Sequence, residues 1–234
     1  MEHPICEIDG DYHLLIPSRF PPVPLYERLG SAEIQKVAEA LEEKTNPRLQ
    51  ELKRLARSGQ QAGGRERLQN WNLAPFTYPN PEGTTFLNSG HKVLELAGGV
   101  QAALAIAVLR REAFLSASEE PAINVEMREI VRRVKGRFVD LTGVKFEPDQ
   151  AARWRLGANI YESNAQGIVF RRPDLPGIRV AAIFDLDALG RAVQGSHYRF
   201  VWDGKVVRTI GNFSDGTVID RGQLFADLAR RAAA

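Results

Sequence analysis

The sequence predicts a single mixed α/β domain of the α+β kind, a mixed sheet with flanking helices. Three observations carry this. The 234 residues suffice for one sizeable core but are few for two. Apolar runs with strand character outnumber clean strand–helix–strand units, and two of them face each other across Asp203-Gly204, a good hairpin turn. Helical spacing is confined to a few separated segments.

The first thirty residues carry Pro17, Pro21, Pro22 and Pro24, which remove backbone donors and favour an extended arm that packs on the core. Ser31 then caps a helix to about Lys44, in which Ile34, Val37, Ala38 and Leu41 share a face. Asn46-Pro47 breaks it, a second helical piece runs through Leu49, Leu52 and Leu55, and SGQQAGG at 58–64 reads as a surface loop. Residues 1–64 are thus an arm and helices packing on a core formed by 65–234. Between Arg65 and Lys92 prolines and glycines predict a long loop, and long loops in compact domains usually carry a site or a lid. The apolar run Leu94–Leu109 reads as the approach to a buried helix, which GVQAALAIAVLRREAFL continues from Gly99.

Strands are expected at 123–134 and 138–141, followed by a helix from Pro148 to Tyr161. Further strands follow at 167–170, 178–184, 197–202 and 205–210, and GQLFADLARRAAA closes the chain as a helix.

Composition narrows the function classes. Lysine and arginine total 31 against 29 acidic residues, a near-balance without the broad cationic field that recruits nucleic acid. Cys6 is the sole cysteine, so a thiolate-rich metal site is excluded by count, and a reducing cytoplasm fits. The four histidines are dispersed and predict no metal site. No apolar stretch is long enough to cross a bilayer, and the N-terminus lacks a secretory layout, so no membrane is expected as a partner. Glycine-rich phosphate loops and the GxSxG elbow are missing. Arg132-Arg133 and Arg171-Arg172 read as solvated surface, His197 and Tyr198 as cross-strand packing, and Trp154 and Trp202 as core anchors.

An ordered string of segments says more than any one motif. IPSRFPPVPLYERLG, TNPRL, APFTYPNPEG, LRREAFL, FVDLTG, QGIVFRRPDLPG and VQGSHYRFVWDG occur in that order and together resemble the RES-domain family, the toxin halves of bacterial RES–Xre toxin–antitoxin pairs. The resemblance implies an ADP-ribosyltransferase-like fold with a cleft for NAD+, whose nicotinamide–ribose bond is hydrolysed or phosphorolysed. It also implies an Xre-type antitoxin, or another operon-encoded protein, as partner. No resident cofactor is implied, and a second copy of the chain remains an open partner.

The family's arginine, tyrosine, glutamate and serine fall here on Thr85, Glu95, Ile106 and Arg172. All four positions have changed. Cleaving the glycosidic bond builds an oxocarbenium-like ribose that needs a nearby carboxylate, and Ile106 supplies none. Thr85 offers one neutral hydroxyl where a guanidinium would grip pyrophosphate, and Glu95 replaces a ring that could stack on nicotinamide. The expectation is therefore a catalytically silent RES-domain protein repurposed for binding. One alternative is an active NAD+-consuming enzyme rebuilt on Glu95 as carboxylate and Arg172 as phosphate anchor, with Thr85 also touching NAD+; another is a non-enzymatic partner in an operon-encoded complex. Glu95 and Arg172, with His91 and Lys92 nearby, form either that new site or a structural ion pair filling a dead pocket.

Overall fold

The computed structural model describes residues 3–18, 74–77, 80–144 and 148–233. The helices expected before residue 58, the loop at 58–64 and the division at 64 lie outside the described residues. Among the described residues the chain runs β1 (Ile5–Pro17), α1 (Ala74–Thr77), β2 (Leu94–Ala97), α2 (Val100–Ala117), β3 (Ile123–Asp140), α3 (Gln150–Glu162), β4 (Gly167–Arg172), β5 (Leu175–Ile183), a 3-10 turn at Leu186–Ala188, β6 (Leu189–Trp202), β7 (Val207–Asn212), β8 (Val218–Asp220) and α4 (Arg221–Ala233). The strands form one eight-stranded mixed sheet in the order β1-β2-β5-β4-β3-β6-β7-β8, and the α+β class is the one expected.

β1 also pairs with β3, so β1, β2, β5, β4 and β3 close on themselves as a ring. The ring's inward side chains are one core: Ile8, Tyr12, Leu94, Leu96, Val134, Phe138, Val169, Ala181 and Ile183, joined by Phe76 of α1. Alternation explains it, because successive side chains of a strand face opposite ways. In β1, Ile8 and Tyr12 are buried while Asp9 and Asp11 meet Arg133 on the opposite face. The larger second core lies outside the ring, where α2 and α4 cover Met127, Phe170, Val180, Phe200 and Trp202.

α2 is buried along Ala102–Val108, as its alanine-rich sequence suggests. Glu112 on this helix accepts a bidentate pair from Arg221 at 2.7 and 2.9 Å and the Val207 N–H at 2.9 Å, tying α2 to α4 and β7. α3 begins where the Asp149 carboxylate accepts from the N–H groups of Ala151 and Ala152. The β6–β7 turn needs Gly204, which sits at φ +95°, while Asp203 accepts from Lys205 and Val206 N–H at 2.8 Å each.

The structure completes or corrects the expectations at four places. Residues 5–17, expected to be extended and to pack on the core, do so as a strand: they pair with β3 along Ile5↔Val139 to Pro17↔Met127, a partner no local pattern reveals. Leu94–Ala97 is a strand, separated from the helix by Gly98-Gly99 rather than leading into it. The strands expected at 123–134 and 138–141 are one strand, because pairing with β1 carries it through Gly136. β8, three residues long, went unread because a strand this short leaves no period to detect.

Candidate functional site

β1 and β2 touch through a single register pair, His13↔Ala97, and then part. α2 crosses the outer face of the gap. The cleft that results is lined by His13, Leu15, Glu95, Ala97, Ile106 and Arg110, among others. Two of the four positions singled out from the sequence therefore line one cleft, Glu95 from β2 and Ile106 from α2.

Glu95 is the second residue of β2, and strand alternation turns it away from the ring core that holds Leu94 and Leu96. Its side chain is only 6% exposed and is fully engaged. One carboxylate oxygen accepts the Thr85 backbone N–H at 3.1 Å and the other accepts Arg110 Nη2 at 3.0 Å. Thr85 thus joins the site through its backbone. The loop bearing it is fixed from α3, where Trp154 Nε1 donates to the Thr84 carbonyl at 2.9 Å and Arg153 Nε to the Thr85 carbonyl at 3.4 Å. α3 approaches that loop closely enough that a Cβ on Gly157 would stand 1.9 Å from the Phe86 carbonyl oxygen. Only glycine fits there.

Arg172, the last residue of β4, makes a fork of two 2.7 Å hydrogen bonds to Asp174 in the β4–β5 turn. Burial pulls the Arg172 pKa down, but the Asp174 hydrogen bond and charge, with Glu95 adding its own, leave it raised. Burial likewise pushes the Asp174 carboxyl up, and Arg172, helped by Arg110, brings it below its usual value. Glu95 and Arg172 each take a different partner at contact distance, yet they remain electrostatically coupled. Glu95, Arg110, Asp174 and Arg172 form an alternating set of two carboxylates and two guanidiniums with no net charge. His91, expected beside it, hydrogen-bonds Asn88 at 2.8 Å and packs edge-on against Tyr161.

Ile106 is buried at the wall of this cleft, one helical turn before Arg110. Sequence reasoning missed Arg110 and Asp174. The signals were available: Arg110 lies at i+4 from Ile106, hence on the same helix face, and Asp174 follows Arg172 by two residues across a turn.

A second polar pair went unread because its members are far apart in sequence. His13 Nδ1 and Glu129 Oε1 are 2.6 Å apart across 116 residues. Glu129 Oε2 also accepts the Ser196 N–H at 3.1 Å. The His13 hydrogen bond is the main cause that holds the Glu129 carboxyl below its usual range, against burial, which would raise it. Tyr198 is pushed up by burial and by the Glu129 charge. Among the described residues no group of three or more histidine, cysteine or acidic side chains is placed to hold a metal ion. No helix among them is long and apolar enough to cross a membrane.

The site is therefore a narrow cleft whose charged groups satisfy one another, with a hydrocarbon side chain at its wall. Such an arrangement holds little unspent charge for stabilising a cationic transition state. A family model described as the RES domain matches residues 63–203 of the chain. Over 208 residues the chain is 43% identical to an uncharacterized protein, y4oC, of Sinorhizobium fredii (strain NBRC 101917 / NGR234), covering 89% of this chain and 90% of that protein.

Proposed function

The chain belongs to the RES-domain family, and from that premise we propose that it is a silent member: a RES-fold protein that does not cleave NAD+ and acts by binding, within a bacterial toxin–antitoxin or other operon-encoded complex. The observation that carries this reading is the charge-neutral set Glu95–Arg110 and Asp174–Arg172 standing beside buried Ile106. Glycosidic cleavage needs a carboxylate free to face the developing ribose cation. Glu95 is the acid in the right region, and both of its oxygens are already committed to Thr85 and Arg110. Arg172 is committed to Asp174 in the same way. A rebuilt active enzyme would have to break these pairs to use either group, and loss of one positioned electrostatic group alone costs on the order of a hundred- to a thousand-fold in rate.

The test is direct. Purified protein incubated with NAD+ should release no nicotinamide above the uncatalysed background. Rapid release would overturn the reading, and in that case growth arrest on expression that is relieved by Glu95→Gln would identify the rebuilt site. Co-purification with the product of a neighbouring gene would support the binding role, an Xre-type antitoxin being the partner the family suggests.

A further inference from the structure

The cleft chemistry leaves one strongly polar side chain without a role. Arg132 stands in the middle of β3, registered between Tyr12 of β1 and Ala192 of β6. That register places it on the same face as Tyr12 and Val134, opposite the face that carries His13, Glu95 and α2. It is 4% exposed, and its Nε and Nη1 have no hydrogen-bond partner. Buried polar groups are almost always hydrogen-bonded, and a buried charge without a partner is among the costliest features a fold can carry.

The neighbouring acids on this stretch of sheet are already used. Asp9 and Asp11 pair with Arg133 on the opposite face, Glu129 is held by His13 and Ser196, and Glu126 pairs with Arg199. A second guanidinium, Arg128, lies four residues earlier on the strand and is 1% exposed. Across from it on β6 stand Gln194 and His197, registered with Ile130 and Arg128 and joined to each other at 2.9 Å. Among the described residues the polar set of this face is rich in donors and holds no spare carboxylate.

We propose that this face of β3 and β6 is a binding site for a phosphate group, whose oxygens take the hydrogen bonds that Arg132 leaves unused. Phosphate suits a donor-rich set better than a carboxylate does, because it presents more acceptor oxygens and pairs strongly with guanidinium. Burial pulls the Arg132 pKa down to about 10, so the guanidinium remains charged at neutral pH and still demands a counter-charge. The site is on the opposite side of the sheet from the cleft of Glu95 and Ile106, so it stands or falls independently of the proposed function.

Thermal unfolding of the full chain tests it, with inorganic phosphate as probe against chloride at matched ionic strength. At phosphate about a hundred times its Kd, Tm should rise by roughly 5–10 °C. Arg132→Leu should abolish that response, while Arg133→Leu, which removes an exposed neighbour, should keep it. If Arg132→Leu does not fold, Arg132→Lys replaces it: lysine keeps the charge but not the guanidinium donors, and should weaken phosphate binding at least roughly tenfold. AMP in place of phosphate separates the sources. A larger shift at equal concentration means that the phosphate arrives on a nucleoside, and an equal or smaller one that the free ion is bound. No phosphate response in the wild-type chain, or an undiminished response in the Arg132 variants, overturns the proposal.

Discussion

Glu95 and Arg110 show a cleft carboxylate held as a structural group. The carboxylate is 6% exposed and the guanidinium 44%, so solvent screens the pair from one side and its worth lies below that of a fully buried bridge. Glu95→Gln should cost about 1–2 kcal/mol, and a double-mutant cycle with Arg110→Met should return a coupling of about 1 kcal/mol. A coupling of zero in denaturant melts would mean the pair is decorative. Glu129 behaves differently, because its folded pKa lies below the unfolded value. The stability it contributes is fully present above the unfolded carboxylate pKa, about 4.5, and is lost as pH falls through the depressed folded value. Wild-type protein should therefore melt above Glu129→Gln at pH 7, and the gap should narrow steadily in melts taken at pH values stepping down from 4.5. At this scale the sequence was only half legible. Glu95 and Ile106, singled out from their flanking segments, do line one cleft, but the partners Arg110, Asp174 and Glu129 are chosen by tertiary proximity, which no single-residue pattern encodes.

Among the elements, α3 positions the site without lining it. Its Trp154 and Arg153 hold the carbonyls of Thr84 and Thr85, and that loop in turn presents an N–H to Glu95. Close approach at Gly157 makes this possible. Gly157→Ala forces α3 and the Phe86 loop apart and should cost about 2–3 kcal/mol, read as a lower denaturant midpoint. The fluorescence of Trp154 should change with it. α2, α3, α4 and the β6–β7 hairpin were legible because each carries a local signal: alanine and leucine density, the apolar surface across 148–161, the GQLFADLARRAAA composition, the Asp203-Gly204 turn. β1 and β2 were not. One is masked by nearby prolines and the other is four residues of an apolar run whose break is a pair of glycines.

On the scale of the whole molecule, family resemblance and fold do not share boundaries. The matched region, residues 63–203, omits β1, β7, β8 and α4. A fragment cut to those residues would bare one edge of β3 along the whole length now paired with β1, and would strip Leu224 and Leu228 from the outer core. It should be recovered as aggregate, whereas the full chain remains monodisperse in size-exclusion chromatography. The ring has a further consequence during biosynthesis. Its first strand leaves the ribosome long before β3, the partner that lies 116 residues away at His13 and Glu129. Non-local pairing of this kind slows folding and prolongs exposure of unpaired edges. The nascent β1 segment has no β3 edge to pair with until Ile123–Asp140 has been made.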